Sequence, residues 1–219
     1  MCGRFSLEAP IESLKERFDA ILKVSVQPRF NIAPGQQSAI ITSELPREIV
    51  MARWGLIPHW AKDPKIAYKT INARVEGIES KPAYREAFKK HHCLVLADSF
   101  YEWKKTGEAK QPFRIMRKDG APFAFAGLCS SWQNPNGKNV LTFTIITGTP
   151  NSLVKEIHGR SPIILEEKSE QLWLKDDLSI QDSLELLSVF PASKMKAYPI
   201  STLVNSPRND VPEVTQPLR

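Results

Sequence analysis

The chain opens Met1-Cys2-Gly3-Arg4-Phe5. A small residue at position 2 permits removal of the initiator methionine. Cys2 would then carry a free α-amine and a free thiol on adjacent carbons, a combination no internal residue has. An α-amine has a reference pKa of about 7.7–8.0, so a useful fraction is neutral at physiological pH. A neutral amine attacks an aldehyde to give an imine, and the thiol can then close onto the same carbon as a five-membered thiazolidine. A lysine would stop at the hydrolysable imine. Position alone leaves a chance Met-Cys start open.

Four further stretches carry residue types suited to chemistry or to anion binding. In "INARVE", Asn72 and Arg74 are two apart and share a face if the segment is extended. The first is suited to an amine or sugar group, the second to a phosphate; a solvated strand edge is the plain alternative. In "DSFYEWKK", alternation puts Phe100, Glu102 and Lys104 on one face. Aromatic neighbours desolvate Glu102 and raise its pKa toward general acid–base use, unless it merely pairs with a lysine at the surface. In "EIHGRSP", His158 is of the residue type suited to shuttling protons, with Arg160 beside it, or it simply favours a helix C-terminus. "FNIAPGQQ" and "IPHWAK" present Asn31, Pro34 and Trp60, which suit unstacked bases or loop packing.

The elements that must position these residues read as one α+β domain over 1–219, with a core from about 2 to 205 and a Pro-rich C-terminal tail. Spacing predicts an amphipathic helix over 10–23 and a proline-bearing loop after it. Strands are predicted over 38–43 and 47–54, then a surface loop over 55–65 and a helix over 80–91. Strands follow over 93–105, 111–118, 121–132 and 139–148, joined by hairpin-length turns that imply antiparallel pairing. A short helix over 149–159 capped by Thr149 or Asn151, a helical "SEQLWLKD" and a polar "KAYPIS" complete the pattern. The predicted architecture is a curled, mainly antiparallel, barrel-like sheet system flanked by short helices.

Composition sets the outer limits. Hydrophobic residues at 42% and charged residues at 25% fit a globular domain that buries its own core. No apolar run approaches the ~20 residues of a membrane helix, and no secretory leader is apparent. Cys2, Cys93 and Cys129 are too few and too scattered for a disulfide framework, which points to a reducing, cytoplasmic setting. "HHC" at 91–93 reads as a junction running into a strand, so neither metal nor cofactor is expected. The formal charge of +6 favours an anionic partner.

Taken together, "MCGRF", "FNIAPG", "WGLIPHW", "INARVE", "FYEWKK" with "QPF", and "IHGRSP" with "IIL" resemble the SRAP family, the SOS response-associated peptidases. The resemblance runs from residue 1 to about 205. It implies single-stranded DNA containing abasic sites as partner, with nucleoid association when bound. It also implies self-processing or aminopeptidase removal of Met1, and a thiazolidine crosslink from Cys2 to the ring-opened deoxyribose. By position it implies that Asn72 places the Cys2 amine or the sugar, that Glu102 acts as general acid–base in imine formation and reversal, and that His158 moves a proton at the sugar. Arg4, Arg74 and Arg160 would hold phosphates. Pro34 and Trp60 would lie at the break in base stacking beside the lesion, and Asn31 is a further candidate DNA contact. Replication-fork proteins are further candidate partners, and a monomer is expected. The sequence departs from the usual family pattern at Gly159 and Ser161, where "IHDRMP" is common, and at Ala61, where some members carry a second aromatic. Competing readings are an N-terminal-nucleophile cysteine amidohydrolase, a Cys–His peptidase using Cys2 or Cys129, and a non-catalytic strand binder.

Overall fold

The computed structural model describes residues 2–23 and 25–218. Met1, and with it the expected loss of the first residue, lies outside them. In chain order the first half comprises β1 (Phe5–Leu7), α1 (Ile11–Phe18), β2 (Ile21–Leu22), β3 (Arg29–Ile32), β4 (Gln37–Thr42), β5 (Leu45–Trp54), β6 (Asn72–Arg74) and α2 (Arg85–Lys90). The second half comprises β7 (His92–Ala97), β8 (Ser99–Thr106), β9 (Ala109–Arg117), β10 (Phe123–Gln133), β11 (Asn139–Gly148), α3 (Ser152–Lys155), β12 (Ser161–Pro162), α4 (Glu167–Trp173), α5 (Ile180–Leu186) and β13 (Met195–Pro199).

These strands form two sheets. One runs β13-β9-β8-β1-β3, all antiparallel. The other runs β12-β11-β10-β7-β4-β5-β2, with β6 added beside β11. Strand β5 also pairs with β11 in parallel, Thr142 opposite Arg53 and Phe143 opposite Trp54. Strands β11, β10, β7, β4 and β5 therefore return on themselves as a small barrel. Closure removes the open edges that a flat sheet would expose. The predicted α+β class with a barrel-like, mainly antiparallel sheet system is what forms.

The core lies between the sheets and inside the barrel. Phe5 meets Trp54 edge-on at 5.1 Å and Phe125 at 5.9 Å, and Phe100 meets Phe125 at 6.0 Å. Phe5 is three residues from Cys2, so burying its ring anchors the start of the chain in the seam between the two sheets. Asp98 fixes the same strand from the other side. It accepts hydrogen bonds from the Ser6 hydroxyl and from the backbone N–H groups of Glu8 and Ala9.

Several local predictions are corrected. The helix predicted over 10–23 stops at Phe18, where Asp19 turns left-handed (φ 46°) and caps the last carbonyls. Ile21 and Leu22 then join β5 as a short parallel strand. The predicted loop after it contains β3, held by Asp210, whose carboxylate accepts from the N–H of Phe30 (2.6 Å) and Asn31 (2.9 Å). The surface loop predicted over 55–65 is partly interior, with Leu56 and Ile57 fully buried. Gly55 makes that path possible: its φ is 116° and a Cβ would stand 2.7 Å from the Ala67 carbonyl oxygen. The helix over 80–91 begins only at Arg85, and the one over 149–159 is only α3, capped by the Asn151 side chain on Val154 N–H. The strand predicted over 93–105 is two strands that change sheets at Asp98. The polar "KAYPIS" forms β13, which pairs with β9. The end of the chain is packed: Ile200 and Val204, and Val214 of the Pro-rich tail, are buried against Tyr101.

Candidate functional site

Cys2 is fully buried, and its thiol points to the Arg4 carbonyl oxygen at 3.7 Å. Its own carbonyl accepts from Asn72 Nδ2 at 2.7 Å. Asn72 is held there by the backbone. Strand β6 lies parallel to β11, the Trp54 indole donates to the Ile71 carbonyl, and the Tyr84 hydroxyl donates to the Asn72 carbonyl. The remaining polar atom of the amide, Asn72 Oδ1, is buried and has no hydrogen-bond partner among the described residues. An unmet buried acceptor costs about 1–3 kcal/mol, so its presence beside Cys2 marks a place suited to an incoming donor.

Glu102 is reached along β8 by strand alternation: Phe100 and Glu102 face inward together and are both nearly inaccessible, at 0% and 2%. The predicted surface pairing with a lysine is therefore not its setting. Burial raises the Glu102 carboxyl above its ordinary range, and the nearby charge of His158 acts against that rise. The Cys2 thiol is pushed up strongly, first by burial and then by the negative charge of Glu102. Cys2, Asn72, Glu102 and His158 are thus brought together, from β1's entry, β6, β8 and the turn after α3.

His158 is oriented by its own turn. The Arg160 backbone N–H donates to His158 Nδ1 at 3.1 Å. The same nitrogen lies 3.2 Å from the Arg160 carbonyl oxygen, so the Arg160 backbone holds the ring through Nδ1. Arg160 fastens this turn: its guanidinium donates to both Glu76 carboxylate oxygens (2.6 and 2.9 Å) and to the Thr147 carbonyl at 2.7 Å. Gly159 has open space where a Cβ would stand, so the turn requires no glycine, and the Arg160 contacts hold it without an aspartate there.

Glu102 and His158 line an open cleft of about 630 Å³ together with Trp103, Lys105, Lys110 and Asn205. These last four were not singled out from the sequence. The alternation rule favoured Glu102 over its neighbour Trp103, and Asn205 lies at the far end of the predicted core, in no recognised element. The Trp103 indole donates to Asn205 Oδ1 at 2.8 Å, so the C-terminal segment fixes one wall.

The six predicted DNA-contact residues separate. Arg74 is exposed and makes no ion pair among the described residues. Arg160 is turned onto Glu76. Arg4 donates to Asn31 Oδ1 (2.8 Å) and to the Val204 carbonyl (2.6 Å). Asn31 is fully buried, and its amide nitrogen serves the Val204, Ser206 and Asn209 carbonyls. Pro34 is half-buried, before Gly35, which turns back onto the Trp54 carbonyl. Trp60 is 51% exposed and borders a separate groove with Pro58, His59, Glu86 and Cys129. Neither Pro34 nor Trp60 lines the Glu102–His158 cleft.

The "HHC" residues diverge. His91 pairs with Glu44 at 3.1 Å, His92 stacks on Trp173 at 3.9 Å, and burial raises the Cys93 thiol next to Cys129. Among the described residues no helix is long and apolar enough to cross a membrane.

Comparison with known proteins places these features in one group. The protein named abasic site processing protein YoqW, from Bacillus subtilis (strain 168), is 42% identical over 222 residues, covering 99% of each chain. Abasic site processing protein YedK of Escherichia coli (strain K12) is 29% identical over 228 residues, covering 100% of each. A crystal structure of a protein from Bacteroides thetaiotaomicron superposes with a TM-score of 0.92 at 32% identity over 100% of both chains. The family model for SOS response associated peptidase (SRAP) matches residues 1–207, and the chain belongs to that family.

Proposed function

We propose that this protein processes abasic sites in single-stranded DNA by capturing them covalently on Cys2. The observation that carries the reading is the buried meeting of Cys2 with the Asn72 amide and the Glu102 carboxyl, beside a cleft open to solvent. The names of the relatives support the substrate class.

Hydrolysis of the Met1–Cys2 amide, by the chain itself or by an aminopeptidase, comes first and frees the Cys2 amine. The neutral amine attacks the C1′ aldehyde of the ring-opened deoxyribose to give a carbinolamine. Glu102, whose proton affinity burial raises, donates to the leaving hydroxyl. Water departs and an imine remains. The Cys2 sulfur then bonds to C1′, and its proton passes to the nitrogen, closing the thiazolidine; the net loss is one water. Asn72 Oδ1 accepts from the attacking amine or a sugar hydroxyl. His158 moves a proton at the sugar oxygen. The same steps run backwards release the DNA. If a base removes a C2′ proton from the imine before the ring closes, the C3′–O bond breaks and the strand is cut as by a lyase.

The state of the thiol bears on the competing chemistries. Amidohydrolases and Cys–His peptidases need a thiolate, whereas burial pushes the proton affinity of this thiol up. An amine-first reaction uses it as it stands. Arg74 is the exposed phosphate contact in this reading, while Arg4 and Arg160 keep the frame.

Intact mass after incubation with a single-stranded oligonucleotide containing an aldehydic abasic site tests the proposal. The expected product is the protein lacking Met1 plus the oligonucleotide minus one water, absent in Cys2→Ala. Retained Met1 with no adduct overturns it.

A further inference from the structure

We infer that the β8–β9 hairpin is a phosphate clamp for the DNA strand running out of the cleft, with Lys105 and Lys110 as its contacts. The inference rests on the reading of the cleft as a DNA site.

The first observation is register. Lys105 lies directly opposite Lys110 across the antiparallel pair, one step from the Gly107–Glu108 turn. Like charges directly opposed on neighbouring strands destabilise a hairpin. The second is the absence of neutralisation. Neither ammonium makes an ion pair among the described residues, although Glu108 sits in the turn between them. By contrast, four arginines of low exposure are each paired closely, Arg17 with Glu170, Arg114 with Glu8, Arg117 with Asp119 and Arg160 with Glu76, whereas both hairpin lysines are exposed. The third is position. Both lysines line the cleft that holds Glu102 and His158. Two cations at the cleft wall set a positive potential there, which favours an anionic ligand.

The ligand fits a polyanion better than a single small anion. The cleft is open and about 630 Å³, wider than one sugar. Two flexible ammoniums on opposed strands can straddle consecutive phosphates of a single strand without reading bases, and such contacts position a nucleic acid without specifying its sequence.

The test uses the full chain as K105Q/K110Q, with K105R/K110R as the charge-retaining control. Non-covalent affinity is measured against salt with a single strand carrying a tetrahydrofuran abasic analogue, which has no aldehyde and cannot crosslink. On single strands each neutralised phosphate contributes about −0.7 to the slope of log K against log salt. The double Gln variant is expected to flatten the slope by about 1.4, the Arg control to leave it unchanged, and the melting temperature of the Gln variant to hold or rise as the repulsion is removed. Covalent yield with an aldehydic strand at saturating concentration and low salt should match wild type. An unchanged slope, or equal flattening in the Arg control, overturns the clamp. So does a loss of crosslinking at saturation, which would move the lysines into the chemistry. Failure of the function reading appears separately, as absence of any wild-type adduct with the aldehydic strand.

Discussion

Glu102 is the residue at which stability and chemistry pull in opposite directions. Its carboxyl sits 2% exposed on the inward face of β8, and burial raises its proton affinity in the folded state. The unfolded chain titrates this group near about 4.3. Because the folded value is the higher one, the stabilisation from the bound proton is complete below the unfolded value. It is lost as the pH rises through the folded value. Above the folded value the ionised carboxylate therefore weakens the fold, and Glu102→Gln should melt higher than wild type at alkaline pH, with the difference shrinking as the pH falls toward the ordinary carboxylate range. The same substitution removes the proposed proton donor and should slow adduct formation about a hundredfold. Thermal melts across pH, paired with adduct time courses, check both; a variant both less stable at alkaline pH and equally fast would contradict this account. The sequence made Glu102 visible through alternation and aromatic flanks. It gave no sign of the unmet Asn72 Oδ1, since which amide atom faces Cys2 depends on how β6 lies against β11.

Among the elements, the junction between β7 and β8 decides most. The run 93–105 reads as one strand because its apolar residues continue without interruption. In the fold the chain leaves the barrel at Asp98 and enters the five-stranded sheet. Asp98 is 6% exposed and collects donors from Ser6, Glu8 and Ala9, with the Asp98 N–H returning to the Ser6 carbonyl at 3.0 Å. It ties β1, and so Cys2, to the point where the strands change sheets. Asp98→Ala leaves these buried donors unmet and should cost about 3 kcal/mol, measured as a lower urea midpoint. Short elements were the hardest to read. Strands β2, β6 and β12 are two or three residues long, and long-range pairing, which fixes such pieces, leaves no local pattern.

For the whole molecule, the C-terminal segment is the largest departure from the sequence reading. It contributes Ile200, Val204 and Val214 to a buried cluster around Tyr101. It also supplies the carbonyls that occupy Asn31 and Arg4, and the Asn205 that holds Trp103. Deleting residues 200–219 removes three buried side chains, each worth about 1.5–3 kcal/mol, and should lower stability by about 5 kcal/mol, read from denaturant unfolding. A truncated chain as stable as the full one would show that the segment is an appendage. By itself the sequence determined the α+β class, the candidate residues Cys2, Asn72, Glu102 and His158, and the chemistry an N-terminal aminothiol makes available. These follow from residue type and short-range spacing, which are local. Only the tertiary structure decided that Arg4, Asn31 and Arg160 are engaged within the protein while Arg74 stays exposed, that Trp60 borders a different groove, and that two unpaired lysines face the cleft. A side chain's partners are set by residues up to 201 positions away, and no local pattern carries that information.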